Sequence, residues 1–361
     1  MTTKERLRKL LEDNRGKYVS GEEIASSLKI SRTAVWKAIR ALREDGYEID
    51  AVRNRGYRLP EETDVMSAEG IRHYMADGVR SGKLRNDNGQ DSGPDAIIRE
   101  TDLRFERVVT STNTLLKDLA AAGAKEGTIL AAAEQTAGKG RVGRSFYSPE
   151  GTGVYLSILL RPENYDASRA SRFTTMAAVA ACEAIEEIGD KPALIKWVND
   201  VYVGGRKVVG ILTEASLDLE SGFLDYAVLG IGFNVYEPEG GFPEEIRDRA
   251  GAILTQRSPD AKNRLAAAFI RRFMDYYGEE KAFTAEGTEG EKDCSASLSY
   301  IQKYRGRSFV VGKDIDVLEG GRRTPATALA VDEQCRLIVR YGDGREEALS
   351  AGEVSIRVPA D

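Results

Sequence analysis

The densest run of residues able to do chemistry is EQTAGKGRVGRSFYSPEGTGVYLS, residues 134–157. Gly138, Gly140 and Gly143 interleave there with Lys139, Arg141 and Arg144, and an aromatic pair follows. Glycines lack the Cβ that keeps a ligand away from the backbone, so they offer successive N–H groups at close range. Cations set between them neutralise anions drawn to the same place. That combination suits acyl-adenylate formation, in which a carboxylate and a nucleotide phosphate repel one another yet must come within bonding distance. The bland alternative is a glycine-rich solvent loop with incidental charges. A Walker A loop is excluded, because G-x-x-x-x-G-K-[ST] does not occur there. GKGRVG fits G-x-G-x-x-G but lacks the strand before it and the acid after it.

The other residue counts narrow the chemistry further. His73, in IRHYMAD, is the one histidine, which argues against a histidine triad or a histidine-rich zinc site. Cys182, Cys294 and Cys335 lie far apart without metal-ligand spacing, so no metal is assigned to protein ligands alone, and a reducing cytoplasm is expected. The work falls to Lys, Arg, carboxylates and backbone amides. No window approaches eighteen consecutive apolar residues, and MTTKERLRKLLEDN opens the chain with charge rather than an apolar signal core, so neither membrane nor export is expected.

Charge is spread unevenly. Residues 1–60 hold fourteen Lys and Arg against nine Asp and Glu, a balance of +5; the chain as a whole is −6, which leaves −11 on the remaining 301 residues. A basic head on an acidic body predicts that the head alone meets a polyanion.

The elements that must position these residues follow from periodicity. Leu7, Leu10 and Leu11 predict a first helix over residues 4–14, and Ser20 or Gly21 can cap a second, short one. In RTAVWKAIRALREDG, Val35, Ile39 and Leu42 form the buried stripe of a third, while Arg32, Thr33, Lys37 and Arg40 face outward and Gly46 closes it. YEIDAVRNRGYRL then alternates like two strands around a turn carrying Arg53 and Arg55. This is the order of a winged helix-turn-helix, whose second helix enters the major groove while the wing touches phosphates. A solvated three-helix bundle or a protein-docking module is the alternative. SGKLRNDNGQDSGPD marks a flexible loop or insertion. Residues 105–280 alternate strand and helix runs as in an α/β domain, and from about 306 a series of short strands predicts a small β barrel.

STN at 111–113, QTAGKGRVGR at 135–144, KWVNDVYVGGRKVVGILTE at 196–214 and GIGFN at 230–234 occur in that order. Together they resemble the bifunctional biotin–protein ligase and biotin operon repressor family, over nearly the whole chain. The resemblance implies a winged helix-turn-helix over 1–60, a linker or insertion over 61–104, an α/β ligase domain with a class II synthetase-like mixed sheet over 105–300, and an SH3-like barrel over 301–361. It implies ATP and biotin as substrates with Mg²⁺, biotinyl-5′-AMP as intermediate, and a lysine of a biotin carboxyl carrier domain as acceptor. It further implies a homodimer, formed when the adenylate orders a loop, that represses an operator. By position it implies that Ser111, Thr112, Asn113 and Gln135 hold biotin, and that Gly138, Lys139, Gly140 and Arg141 close over the biotinyl and phosphate groups. Lys207 would contact the carboxylate and α-phosphate, and Lys207 with Arg141 would carry catalysis. Asn199 and Asp200 would stand near the nucleotide and Mg²⁺; Gly210, Leu212, Gly230, Gly232 and Asn234, with Tyr155 and Ser157, would wall the pocket.

Three departures stand out: Lys139 where many relatives have Arg, Val198 where many have Pro, and a long stretch at 78–100. Lysine cannot make the bidentate fork of a guanidinium. Two other functions are open on the sequence: a lipoate or octanoate ligase on the same core, which competition of biotin against lipoate separates, and a non-catalytic regulator, which would not label a carrier domain.

Overall fold

The computed structural model describes residues 2–44, 46–80, 101–163, 165–166, 169–218, 220–285, 298–319, 321–350 and 352–356. The chain divides into two units, residues 1–67 with 256–263, and residues 68–255 with 264–361. Cys294 and most of the long 78–100 stretch lie outside the described residues.

In the first unit α1 (Thr3–Asp13), α2 (Gly21–Leu28) and α3 (Arg32–Glu44) precede the hairpin β1 (Asp50–Val52) and β2 (Gly56–Arg58), as the periodicity predicts. Two capping boxes start the first pair of helices: Thr2 with Glu5, and Ser20 with Glu23. Ser31 Oγ accepts from Ala34 N at 3.1 Å and opens α3. Leu7, Leu11, Ile24, Val35, Ile39, Leu42 and Leu59 share one buried cluster. Val19 pairs with Tyr57 in both directions at 2.8 and 2.9 Å, which brings the wing back onto the helices. Gly56 is required in that pairing, because its φ is +98° and a Cβ there would fall on the Val19 carbonyl.

The second unit is built on a seven-stranded mixed sheet. It uses β3 (Leu103–Val109), β4 (Ile129–Gln135), β5 (Gly153–Leu160), β6 (Ala193–Lys196), β7 (Asp200–Val203), β8 (Arg206–Leu217) and β9 (Leu224–Asn234), in the order β3-β4-β5-β9-β8-β7-β6. Only β3 and β4 run parallel. Side chains alternate faces along each strand, so the register assigns the layers. Leu130, Leu159 and Val228 pack against Leu116 and Ala120 of α5 (Thr112–Ala121) on one face. The other face is covered by α6 (Ala170–Ile188), where Thr174 meets Thr213 at 2.8 Å, and by α7 (Ala261–Ala285), where Phe269 meets Phe233.

The segment read from sequence as linker, 61–104, is not structureless. Ala68–Arg80 forms a helix, α4, that buries Ile71 and Met75. The polar run after it dominates the composition and hides a short apolar stripe. Downstream, α8 (Ser299–Arg307) leads into a five-stranded antiparallel sheet. Its strands are β10 (Asp314–Glu319), β11 (Arg322–Val331), β12 (Leu337–Tyr341), β13 (Glu346–Leu349) and β14 (Glu353–Ile356), in the order β13-β12-β11-β10-β14. This is the small β module expected at the C-terminal end.

Candidate functional site

Three neighbouring strands supply the floor of the site. Ser157 on β5, Gly230 on β9 and Leu212 on β8 stand in one cross-strand row; Tyr155, Gly232 and Gly210 stand in the next. All six therefore face the same side of the sheet, the side that α5 covers in part. A Cβ on Gly230 would fall on Asn113 Oδ1, and one on Gly232 would fall on the Phe146 ring. The glycines let another group lie flat on the sheet.

Above this floor, the start of α5 buries Ser111, Thr112 and Asn113. Thr112 donates from its backbone N and its hydroxyl to Gln135 Oε1, at 2.9 and 3.1 Å, and Gln135 Nε2 donates to Ser148 Oγ at 3.0 Å. Ser157 Oγ lies 2.8 Å from Thr112 Oγ1 and 2.6 Å from Asn113 Oδ1. Asn113 Nδ2 donates to Glu214 at 2.9 Å, and Lys117 pairs with the same carboxylate at 2.6 Å. Burial acts to raise the Glu214 carboxyl, but Lys117 and Asn113 together hold it below the usual range. The result is a small pocket of about 20 Å³, polar on one wall and glycine-floored on the other.

The glycine-rich segment rises beside it as a hairpin. Phe146 N donates to the Gly138 carbonyl at 2.8 Å, Gly140 N donates to the Arg144 carbonyl at 2.7 Å, and Lys139 bridges to Ser145. At the tip Val142 and Gly143 take positive φ, and Val142 is 86% exposed. Only Gly143 of the pair tolerates that backbone without strain. Phe146 lines both the small pocket and the cavity next to it, and packs edge-on against Tyr155.

That second cavity, about 860 Å³, gathers the cations. Arg141 donates to Asn199 Oδ1 at 3.0 Å, and Asn199 Nδ2 is anchored on the Ile211 carbonyl at 2.9 Å. Lys207 Nζ lies 2.6 Å from Asp200 Oδ1. That oxygen is buried and has no hydrogen-bonding partner of good geometry, so the lysine meets it as a charge. Lys207 reaches this face through a β-bulge: β7 and β8 pair Val201 with Val209, then Tyr202 with Lys207, skipping Val208. Strict alternation would send Lys207 to the opposite face from Gly210; the extra residue turns it inward. Lys139 is exposed near the small pocket's rim, and Asn234 at the end of β9 lines the large cavity.

Lys196, Phe146, Arg249 and Glu353 are among the lining residues that escape the sequence reading as site residues. Lys196 stands immediately before Trp197-Val198-Asn199-Asp200, where its spacing from Asp200 was a signal. Burial pushes its amine below the ordinary lysine value of 10.5, and the Asp200 and Glu353 carboxylates offset this only in part. Glu353, on β14, pairs with Arg144 at 2.6 Å and ties the hairpin to the C-terminal module. Nothing local in the sequence joins positions 209 residues apart. Trp197 is a core aromatic, 3% exposed, whose indole N–H donates to the Cys335 carbonyl at 3.0 Å across the same junction. Burial pushes the Cys182 and Cys335 thiols up to about 12, which leaves neither as a ready nucleophile.

In the first unit Arg32, Thr33, Lys37 and Arg40 of α3 are exposed, as are Arg53 and Arg55 in the wing. Arg32 pairs with Glu22 at 2.8 Å and Arg40 with Glu44 at 3.0 Å, both in the open, where such pairs break at small cost. Arg55 lies over the Tyr18 ring at 4.3 Å. Among the described residues no group of three or more His, Cys, Asp or Glu could hold a metal ion, and no helix is long and apolar enough to cross a membrane.

The model of the biotin/lipoate A/B protein ligase family matches residues 105–234, an HTH domain model matches 3–58, and that of the biotin protein ligase C terminal domain matches 310–357. The bifunctional ligase/repressor BirA of Bacillus subtilis is 36% identical over 265 residues, 72% of this chain and 74% of that one. BirA of Escherichia coli is 27% identical over 343 residues, covering 95% and 94%. Among solved structures, the biotin protein ligase from Aquifex aeolicus in complex with biotin and ATP superposes with a TM-score of 0.55 at 27% identity, over 71% of this chain and 98% of that one. With three domain models matched in this order and relatives aligned along most of its length, the chain belongs to the family of bifunctional biotin–protein ligases and repressors.

Proposed function

We propose that the protein joins biotin to ATP as biotinyl-5′-AMP, transfers the biotinyl group to a lysine of a biotin carboxyl carrier protein, and represses operator DNA with the adenylate as corepressor. The observation that carries this reading is the adjoining pair of cavities: one polar and glycine-floored, the other ringed by Lys196, Lys207, Arg141 and Arg144. The polar edge of a neutral ureido ring suits the first, which is about the size of one water and where Gln135 and the hydroxyls of Ser111 and Thr112 offer donors and acceptors. A triphosphate suits the second.

In the first step a biotin carboxylate oxygen bonds to the α-phosphorus, the bond from that phosphorus to the β-phosphate oxygen breaks, and pyrophosphate leaves. Lys207 and Arg141 stabilise the two approaching anions and the charge that develops on the leaving oxygen. In the second step the acceptor lysine's neutral amine attacks the carbonyl carbon, AMP leaves with the anhydride oxygen, and the amine's proton passes to solvent. The hairpin over Gly138–Phe146 keeps water from the mixed anhydride in between. Asp200, whose buried Oδ1 meets the Lys207 ammonium as a charge, and Asn199 beside it are the oxygen donors that would hold Mg²⁺, which would supply further positive charge to the nucleotide side of the site.

With no acceptor present, the adenylate-bound protein dimerises and presents two α3 helices to an operator in the cytoplasm. A lipoate substrate would leave the polar wall of the small pocket without partners, which costs affinity.

Incubation with ATP, Mg²⁺, labelled biotin and a carrier domain tests the catalytic half. Label on the carrier is expected, with a loss of about 100- to 1000-fold in Lys207→Ala, the scale of removing one preorganised stabiliser of transition-state charge. An alanine variant that labels at the wild-type rate would remove Lys207 from the mechanism.

A further inference from the structure

Trp36 is the most exposed aromatic side chain among the described residues, at 54%. It lies on α3 outside the buried stripe of Val35, Ala38, Ile39 and Leu42, on its flank, and belongs neither to the buried cluster nor to the half-buried residues packed on it. The folded unit therefore gains little from an indole at this position. A lysine or glutamine there would favour the helix more and keep the surface wetter. Arg32 and Arg40 sit one helical turn before and after it on the same row, with Thr33 and Lys37 on the adjacent row. The Arg40 guanidinium stands 6.0 Å from the ring. An apolar plate framed by cations thus occupies the middle of the face that carries the unit's positive charge.

We infer that Trp36 is a sequence-reading contact of α3, its ring packing on the 5-methyl group of a thymine in the major groove, with Arg32 and Arg40 on phosphates to either side. The inference rests on the DNA-binding reading of this unit and names the base class it selects. Charge complementarity picks the partner: the surrounding groups are cations, and duplex DNA is the polyanion that also offers an apolar feature to read. In the major groove thymine alone of the four bases presents a methyl group. Residues in the first turns of the second helix of a helix-turn-helix reach base edges, and Trp36 is the fifth residue of α3.

The test uses the full chain with biotin, ATP and Mg²⁺, and a duplex that the wild-type protein itself enriches from a random-sequence pool. Each thymine in turn is replaced by deoxyuridine, which pairs identically and lacks the methyl group. Wild type is expected to lose about 5- to 10-fold in affinity at one or two positions per half-site, the low end of a single-base effect. Trp36→Ala is expected to bind more weakly throughout and to show no further loss at those positions; Trp36→Phe keeps part of the dependence. Melting of Trp36→Ala at the wild-type temperature shows that the loss is not unfolding. Wild-type affinity in Trp36→Ala, a thymine dependence that survives the substitution, or a loss traced by sedimentation to a weaker dimer alone would each overturn the assignment. If the wild-type protein enriches no duplex, the DNA-binding reading fails first and this inference with it.

Discussion

At the scale of single residues, the site works by holding its cations in place before any anion arrives. Lys207 meets the buried Asp200 oxygen at 2.6 Å, and Arg141 is held by Asn199 at 3.0 Å, so neither has to be ordered when anions arrive. Lys196 is a lysine whose charge burial works against. Because burial lowers its pKa below 10.5, it releases its proton at a lower pH than an exposed lysine does. A step that needs Lys196 as a cation therefore falls away as pH rises through that depressed value. Adenylation rates followed by pyrophosphate release should show this alkaline limb, and Lys196→Arg should shift it upward, since a guanidinium stays charged. An unchanged limb in that variant would detach Lys196 from the reaction. The glycine-rich, cation-bearing segment was legible from residue types, and Lys207 from motif order; that the segment is a hairpin was not. Phe146 was visible only as part of an aromatic pair, because an apolar ring signals nothing about the glycines it lies on.

Elements decide where those residues point. The cross-strand rows through β5, β9 and β8 align Ser157 with Gly230 and Leu212, and Tyr155 with Gly232 and Gly210; period-two alternation in the sequence already implies shared faces within each strand. Lys207 breaks that pattern, and the bulge skipping Val208 is what turns it toward Asp200. Such a bulge has no local sequence signature here. The first unit shows the opposite case, in which local chemistry specifies the element outright: Ser20 and Glu23 exchange hydrogen bonds at 3.1 and 2.8 Å at the start of α2. Ser20→Ala should cost about 1 kcal/mol in denaturant unfolding of this unit. Its biotinylation rate should stay at wild type, and a rate that falls with stability would mean that the cap also serves the catalytic unit.

Across the whole second unit, the contacts that close the site come from distant parts of the chain. Glu353 of the C-terminal module pairs with Arg144 of the hairpin, and Trp197 donates to the Cys335 carbonyl. The ion pair is partly exposed, at 58% and 33%, so its contribution lies in positioning more than in stability. Glu353→Arg should slow adenylation by no more than about fivefold, the scale of a partly exposed pair, with the melting temperature little changed. Adding Arg144→Glu should recover part of the rate, since the pair is then restored in reverse. Absence of recovery would show that the two charges act separately.

By itself the sequence determined the order of modules, the outward face of α3, the strand-and-helix alternation of the central domain and the motif residues that line the two cavities. These depend on spacing within one element, where periodicity and capping act over a few residues. Tertiary structure alone decided that the linker segment carries a buried helix, that Lys207 turns inward, and that Lys196, Phe146 and Glu353 belong to the site. Each of those depends on what a residue meets across the fold, and a side chain 200 positions away leaves no mark on the local pattern.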